Sequence, residues 1–431
     1  MRSHWRAFAP VLSIVLIVAA CSANNSGASG GAGGSLSGQK VTVIGTWSGT
    51  EQTAFLSMVK PWEQQTGATV AYTGTRDINT ILTTGVASGV LPDLAGLPGP
   101  GQMTEYAQQG ALKPLDSVLD LNTYTSDTSP GLVKLGQTNG KTYGVFIKAA
   151  IKGLIWYSPS LHDYSAAPPA TWTDMLSQGK ANQGSAKALW CLGIESGAAS
   201  GWPATDIIEE LVLHGAGPDV YTSWYEGKTK WTDPAIKQAF DTYYNDVVQN
   251  AYGGGTTAVS TNFANAGDPL FKSPPGCEFF DQASFITGLG GFVNKKAGTD
   301  YNFFPFPSVN DQYKTAVEGA GDLFGMFHDT DAAKSLMKYL VTAPAQDIWV
   351  KIGGALSANK NATDYPDDIS KRSAQLLSQA QSFVFDASDN MPSDMQTAFL
   401  SAMVDLTRGK KSVDQVLSDL DKVQSTAYQT S

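Results

Sequence analysis

Apolar and polar residues alternate along Lys40–Thr46 (KVTVIGT), the two-residue period of a strand with one buried face. Over residues 50–65 the period lengthens, and Phe55, Val59 and Trp62 fall on one side of a helix that stops at Gly67. The same unit then repeats. Ala68–Tyr72 reads as a strand, Asn79–Ala87 as a helix turning Ile81, Leu82 and Val86 inward, and Pro92–Leu97 as a third strand. Strands alternating with helices predict a parallel sheet covered on both faces. Ligands of such sheets bind beyond the carboxyl ends of the strands. Those ends carry Thr46-Trp47-Ser48-Gly49, Thr73-Gly74-Thr75-Arg76-Asp77 and Leu97-Pro98-Gly99-Pro100-Gly101, loops rich in polar, aromatic or glycine residues.

Further on, Tyr143–Tyr157 (YGVFIKAAIKGLIWY) is one long extended stretch broken by Ser158-Pro159. Helical periods follow at 172–178, 203–214 and 233–250, the last with Ile236, Phe240, Tyr243, Tyr244 and Val247 on its apolar side. Phe303–Pro307 (FFPFP) is an extended crossover, 331–341 and 343–350 are helical, and the chain beyond Ile369 is amphipathic helix. There is no internal repeat.

The chain has 431 residues. Its start changes the picture of where the protein works. Met1–Arg6 has two arginines and no acid, and the apolar run Phe8–Ala20 is too short to anchor in a bilayer. This is the build of a secretory signal peptide over residues 1–20. Val18-Ala19-Ala20-Cys21 resembles the lipobox of bacterial lipoproteins, in which the cysteine is diacylated; plain secretion past an A-x-A-like site is the alternative. Residues 21–39 are then the lipidated cysteine and a Ser/Gly/Asn/Ala tether, unable to bury apolar surface. The Gly27-Ala28-Ser29-Gly30-Gly31 match to a hydrolase elbow lies in this tether, with no strand before it and no helix after, and is accidental.

The remaining roughly 390 residues suit two domains, and no other apolar stretch approaches a membrane span. Without Arg2 and Arg6 there are 27 basic residues against 39 acidic ones, a balance of about −12, and no basic cluster longer than Lys410-Lys411, which argues against nucleic acid. With Cys21 assigned to lipid, Cys191 and Cys277 are left to pair in an oxidising compartment, or to stay as separate buried thiols. His4, His162, His214 and His328 have no metal-ligand spacing, and Gly253-Gly254-Gly255 lacks the lysine of a phosphate-binding loop. The sequence predicts no cofactor, no metal and no enzyme. A carboxylate pair for glycoside hydrolysis is the enzymatic alternative.

Landmarks in order along the chain resemble the family 1 extracellular solute-binding proteins, the group of the maltodextrin-binding protein. They are Trp62–Gly67 (WEQQTG), Leu91–Leu94 (LPDL), Tyr106–Leu112 (YAQQGAL), Tyr143-Gly144-Val145 leading to Leu154–Tyr157, Met391-Pro392 with Ala398-Phe399, and Arg408-Gly409-Lys410. The segments GTRD (74–77), ESGAASGWP (195–203), QASF (282–285) and GAGD (319–322) look closest to the α-glucoside-binding branch. The resemblance implies a two-lobe periplasmic-binding-protein fold of type II: α/β lobes, each a sheet flanked by helices, closing like a hinge on a sugar. It implies lobe 1 over 40–148 with 307–343 and lobe 2 over 149–306 with 344–431. It implies a monomer outside the cytoplasm, held to the membrane through Cys21, that delivers an oligosaccharide to the permease of an ABC importer.

A neutral sugar offers hydroxyls and apolar C–H faces, so its site needs carboxylates, arginine and flat rings. The loops supply Trp47 and Glu51, Arg76 and Asp77, Gln102, Glu195 and Trp202, Asp281 and Gln282, and Asp322. Each has a plainer reading: Asp77 would cap the helix from Ile78, Glu51 would sit in a first helical turn, Trp47 would be core. The chain departs from maltodextrin-binding relatives at three positions. Gly101-Gln102 stands where they have Asp-Arg, Leu400 follows Phe399 where they have tryptophan, and Ala283 or Ser284 takes the place of an aromatic. Fewer stacking rings point to a short ligand such as a disaccharide.

Overall fold

The computed structural model describes residues 36–380 and 382–429. The expected signal peptide, Cys21 and most of the tether lie outside the described residues. The tether's last residues, 36–39, already belong to the fold: Leu36 packs on the first core, and the Gly38 N–H donates to the Gly67 carbonyl.

Six strands form the first sheet. Its order is Ser382–Phe385, Ala316–Met326, Leu94–Leu97, Lys40–Gly45, Thr69–Gly74, with Gly144–Ile151 pairing antiparallel along the other side of Ala316–Met326. The two-residue period divides it: Val41, Val43, Val145 and Ile147 join one core, Ile44 and Phe146 the other. Helix Gly49–Thr66 buries Phe55, Val59 and Trp62 and ends at Gly67, whose φ of 74° is a left-handed conformation that glycine adopts without strain. Helix Ile78–Ser88 buries Leu82 but leaves Ile81 at the surface, 42% exposed. Ile78 takes the inward position expected of Ile81, while Val86 packs partly buried against the core as expected.

The second sheet has four strands in the order Asn302–Pro305, Leu154–Tyr157, Cys277–Asp281, Ala188–Cys191. Helices Trp202–Ala216, Pro234–Thr242, Ser393–Thr407 and Val413–Ala427 share a core with it. A disulfide joins Cys191 to Cys277, Cα atoms 5.3 Å apart, inside this lobe, so it ties no part of one lobe to the other.

The long extended stretch Tyr143–Tyr157 is two strands, one in each sheet, joined at Lys152-Gly153. A second crossing runs from Asn302–Pro305 to Ala316–Met326 and a third follows Ser382–Phe385. The lobe boundaries differ from the expected ones. Ala345, Trp349 and Ala355 bury with the first core, and helix Asp368–Gln379 packs beside the first sheet through Ile369. Apolar faces, not chain order, decide this: Trp349 lies edge-on to Trp47 at 4.7 Å. Lobe 1 thus reclaims 344–385, and lobe 2 keeps the last two helices.

Candidate functional site

A cavity of about 270 Å³ lies between the sheets, beyond the carboxyl ends of the first three strands. Thr46 and Trp47, Arg76 and Asp77, and Leu97 and Pro98 reach it from the three strand-end loops. The second lobe faces them with Trp202, Phe263, Phe285 and Leu400.

The wall on lobe 1 is a closed set of charges. Lys148 Nζ donates to Glu51 Oε1 at 2.9 Å and lies 3.6 Å from Asp322 Oδ2. Arg76 Nη2 stands 3.7 Å from the other Glu51 oxygen, and the Trp47 indole N–H donates to Asp322 Oδ1 at 3.0 Å. Lys148 faces Asp322 because the pairing of Gly144–Ile151 with Ala316–Met326 shifts register between Asp322 and Leu323, an irregularity that re-aims side chains. Burial works against the ammonium of Lys148, but Glu51 and Asp322 outweigh it and hold its pKa above the usual lysine value. Burial pushes the Asp322 carboxyl up, against the pull of Lys148.

The floor at the hinge is built on Lys152. Its Nζ lies 2.6 Å from Asp206 Oδ2 and 2.9 Å from Asp386 Oδ2, one acid from the helix Trp202–Ala216 and one from the third crossing. Burial opposes its charge, yet Asp206, Asp386 and Glu318 raise its pKa well above the ordinary value. Burial is also the main reason that the Asp206 carboxyl is pushed up to about 7, Lys152 pulling the other way. The Trp202 ring covers this lysine at 5.3 Å, and its own N–H meets no acceptor among the described residues. Such a ring can offer a face and a donor to a polyhydroxyl compound.

Six of the ten residues expected from sequence line the cavity: Trp47, Glu51, Arg76, Asp77, Trp202 and Asp322. Asp77 stands at the N-terminus of helix Ile78–Ser88 without bonding its backbone, so the plain capping role does not hold. Trp47 is wall more than platform, stacked between Tyr72 and Phe324 with little surface exposed.

Four residues stand elsewhere. Gln102 is buried behind the cavity and donates to Gln396 Oε1 at 3.3 Å; Gln396 is the residue that lines. Glu195 accepts from the Gly197 N–H and from Asn262 Nδ2, both at 2.7 Å, shaping its own loop. Asp281 ends its strand buried, its carboxyl raised well above the normal range by burial, and Gln282 folds onto the Ala283 N–H. The QASF stretch reaches the cavity through Phe285 instead. Sequence reasoning passed over Lys148, Lys152, Asp206, Asp386, Asp389 and Gln396. The first two carried a signal: two charges in an otherwise apolar extended stretch require buried partners.

Two sheet-and-helix lobes around a polar cavity, joined by crossing strands, define a two-lobe solute-binding protein. The sequence profile described as bacterial extracellular solute-binding protein matches residues 57–376. The chain belongs to this family. Its members bind solutes outside the cytoplasm and are not enzymes, which settles the class against a glycosidase. The osmoprotective compounds-binding protein GgtB of Synechocystis sp. is 34% identical over 394 residues, covering 89% of this chain and 92% of that protein. The alpha-glucosides-binding periplasmic protein AglE of Rhizobium meliloti is 31% identical over 398 residues, covering 89% and 86%. A chitin oligosaccharide binding protein of solved structure superposes with a TM-score of 0.77 at 19% identity, over 90% of this chain and 99% of that one, a likeness of fold. Among the described residues no helix is long and apolar enough to cross a membrane.

Proposed function

We propose that the protein is the lipid-anchored receptor of an ABC carbohydrate importer, capturing a small α-glucoside such as a disaccharide by hinge closure. One observation carries the reading most: Trp202 faces Arg76, Asp77 and two lysine–carboxylate groups across a cavity of only about 270 Å³. Fixed carboxylates accept sugar hydroxyls, Arg76 donates, and the ring covers C–H faces. On the lobe 1 wall Lys148 and Arg76 are balanced by Glu51 and Asp322, and among the described residues Asp77 alone is left free to accept from a ligand, which favours a hydroxyl-bearing ligand over an anionic one. The short ligand is supported by Leu400, which borders the cavity with no flat face to stack on. Phe399 beside it is turned into the core against Trp231. The name of one relative points the same way, to α-glucosides.

In this reading sugar settles on lobe 1, lobe 2 rotates at the three crossings, and the closed form docks on the permease as a monomer. Cys21 carries the anchor, and Cys21→Ser is expected to release the protein from the membrane fraction. A second reading, a polyol or other small polar solute, is favoured by the small cavity and by the 34% identical relative named for osmoprotective compounds.

A thermal-shift panel of sugars and polyols tests both. Ligand at 100 times its Kd adds about 2.7 kcal/mol, a rise of a few degrees. The expected outcome is a hit with trehalose, maltose or sucrose, weakened by Asp77→Ala and Trp202→Ala. A response to polyols or other osmolytes alone selects the second reading. Silence to all of them, or preference for chains of four or more glucoses, would sink the small-glucoside assignment.

A further inference from the structure

The third crossing, after Ser382–Phe385, enters lobe 2 through the helix Ser393–Thr407. Pro392, the residue before it, has no side-chain acceptor for the free N–H groups of the first turn. Lobe 1 supplies one. Glu105, on the helix Pro100–Gln108, accepts the Ser393 N–H on Oε1 at 2.9 Å and the Ser393 hydroxyl on Oε2 at 2.6 Å. A carboxylate at this end also meets the positive pole of the helix.

Two further contacts hold the same joint. Gly99 and Gly101 approach the crossing so closely that a Cβ on either would collide with the carbonyl oxygen of Asp389 or Met391. One turn into the helix, Gln396 Oε1 accepts from Asn79 Nδ2 at 3.2 Å and from Gln102 Nε2 at 3.3 Å, both on lobe 1. Beyond that turn the helix is set in lobe 2, since Phe399, Met403 and Leu406 bury in its core. Gln396, Thr397, Leu400 and Ser401 of this helix line the ligand cavity, and Glu105 stands outside it.

We infer that Glu105 is a positioning residue of the solute site, fixing the angle at which the helix Ser393–Thr407 leaves lobe 1. The helix packs as one piece with lobe 2, so its start sets the separation of the lobes and the alignment of Gln396 and Leu400 on a solute. Without the carboxylate, the Ser393 N–H and hydroxyl lose their acceptor and the first turn is free to re-seat. The inference rests on the reading of the cleft as the solute site, on which Glu105 acts only through this helix.

Pulsed dipolar EPR of the full chain measures the lobe separation with no solute present. Spin labels sit at Lys60→Cys on lobe 1 and Lys410→Cys on lobe 2, both exposed, in a Cys21→Ser background that leaves only the paired Cys191 and Cys277. Glu105→Ala is expected to displace or broaden the interlobe distance distribution, and Glu105→Gln, which keeps an acceptor of the same shape, to restore most of it. A Glu105→Ala distribution that matches the wild type overturns the inference even where Tm falls, because lost stability alone does not move one lobe against the other. If Glu105→Ala does not fold, Ser393→Ala takes its place: a displacement in the same sense supports the role, and an unchanged distribution overturns it. In titration calorimetry with maltose, Glu105→Ala is expected to weaken binding by about tenfold and Glu105→Gln by less. Wild-type protein that binds no maltose counts against the small-glucoside reading, while the distance measurement still decides the role of Glu105.

Discussion

Lys148 and Lys152 stand four residues apart on one stretch of chain, both buried, both between two carboxylates, both beside an aromatic ring. Around Lys148 the account balances: Lys148 and Arg76 meet Glu51 and Asp322. Around Lys152 it does not, because Asp206, Asp386, Glu209 and Glu318 all act on one ammonium. Glu209 is partly satisfied by the N–H groups of Ala387 and Ser388, which tie the third crossing to the helix Trp202–Ala216. The first group gathers a helix, a strand-end loop and two strands of the first sheet around four balanced charges. The second is an acid-rich knot where a chain crossing, the helix Trp202–Ala216 and the residues after Ser382–Phe385 meet. Similar side chains in similar burial thus meet different surroundings, and the difference is the count of charges and the elements that carry them.

Removing each lysine separates the two. Lys152→Met strands Asp206 and Asp386 and is expected to cost about 3–5 kcal/mol in urea unfolding. Lys148→Met should cost less, about 1–3 kcal/mol, since Glu51 keeps Arg76 and Asp322 keeps the Trp47 N–H. A larger loss at Lys148 would break the comparison. Trp202→Ala, on the rim of the knot, is expected to weaken solute binding by about 2 kcal/mol, some thirtyfold, in titration calorimetry.

A pH series sharpens the contrast. Asp206 is pushed up to about 7 by burial, above the ordinary value of about 4 for an unfolded chain. Between those values the native state holds a proton that the unfolded state has lost. This term therefore removes stability as pH rises through that window and is constant above it. Denaturant midpoints of the wild type should fall relative to Asp206→Asn between pH 4 and pH 7, and a parallel pair of curves would remove the argument. The smallest effect is expected at Glu195→Ala, about 0.5–1.5 kcal/mol of stability with solute affinity nearly unchanged, since its carboxylate serves Gly197 and Asn262.

The first three strands, their helices and the loops that reach the cavity were legible because a half-buried strand and an amphipathic helix write their periods into the chain. Arg76, Asp77 and Trp47 follow from that reading alone. Ile81 did not, because its inward position was inferred from a short helix in which Ile78 and Gly85 also compete for the sheet. Glu195, Asp281 and Gln282 were chosen as polar residues beside the cavity-lining segments, and sequence distance does not say which way a side chain turns. The path from Asn79 through Gln396 to Asp389 could not be seen at all. It joins residues more than three hundred positions apart.

By itself the sequence determined the two-domain size, the alternating architecture of the first lobe, the two cysteines free to pair, and the family, since these rest on composition, local period and ordered landmarks. Only the tertiary structure decided which acids meet which lysine. It also decided that residues 344–385 complete the first lobe and that a second cavity lies behind the Lys152-Gly153 turn. Those outcomes depend on long-range packing and on one shift of strand register, and electrostatics at such distances is written in space, not along the chain.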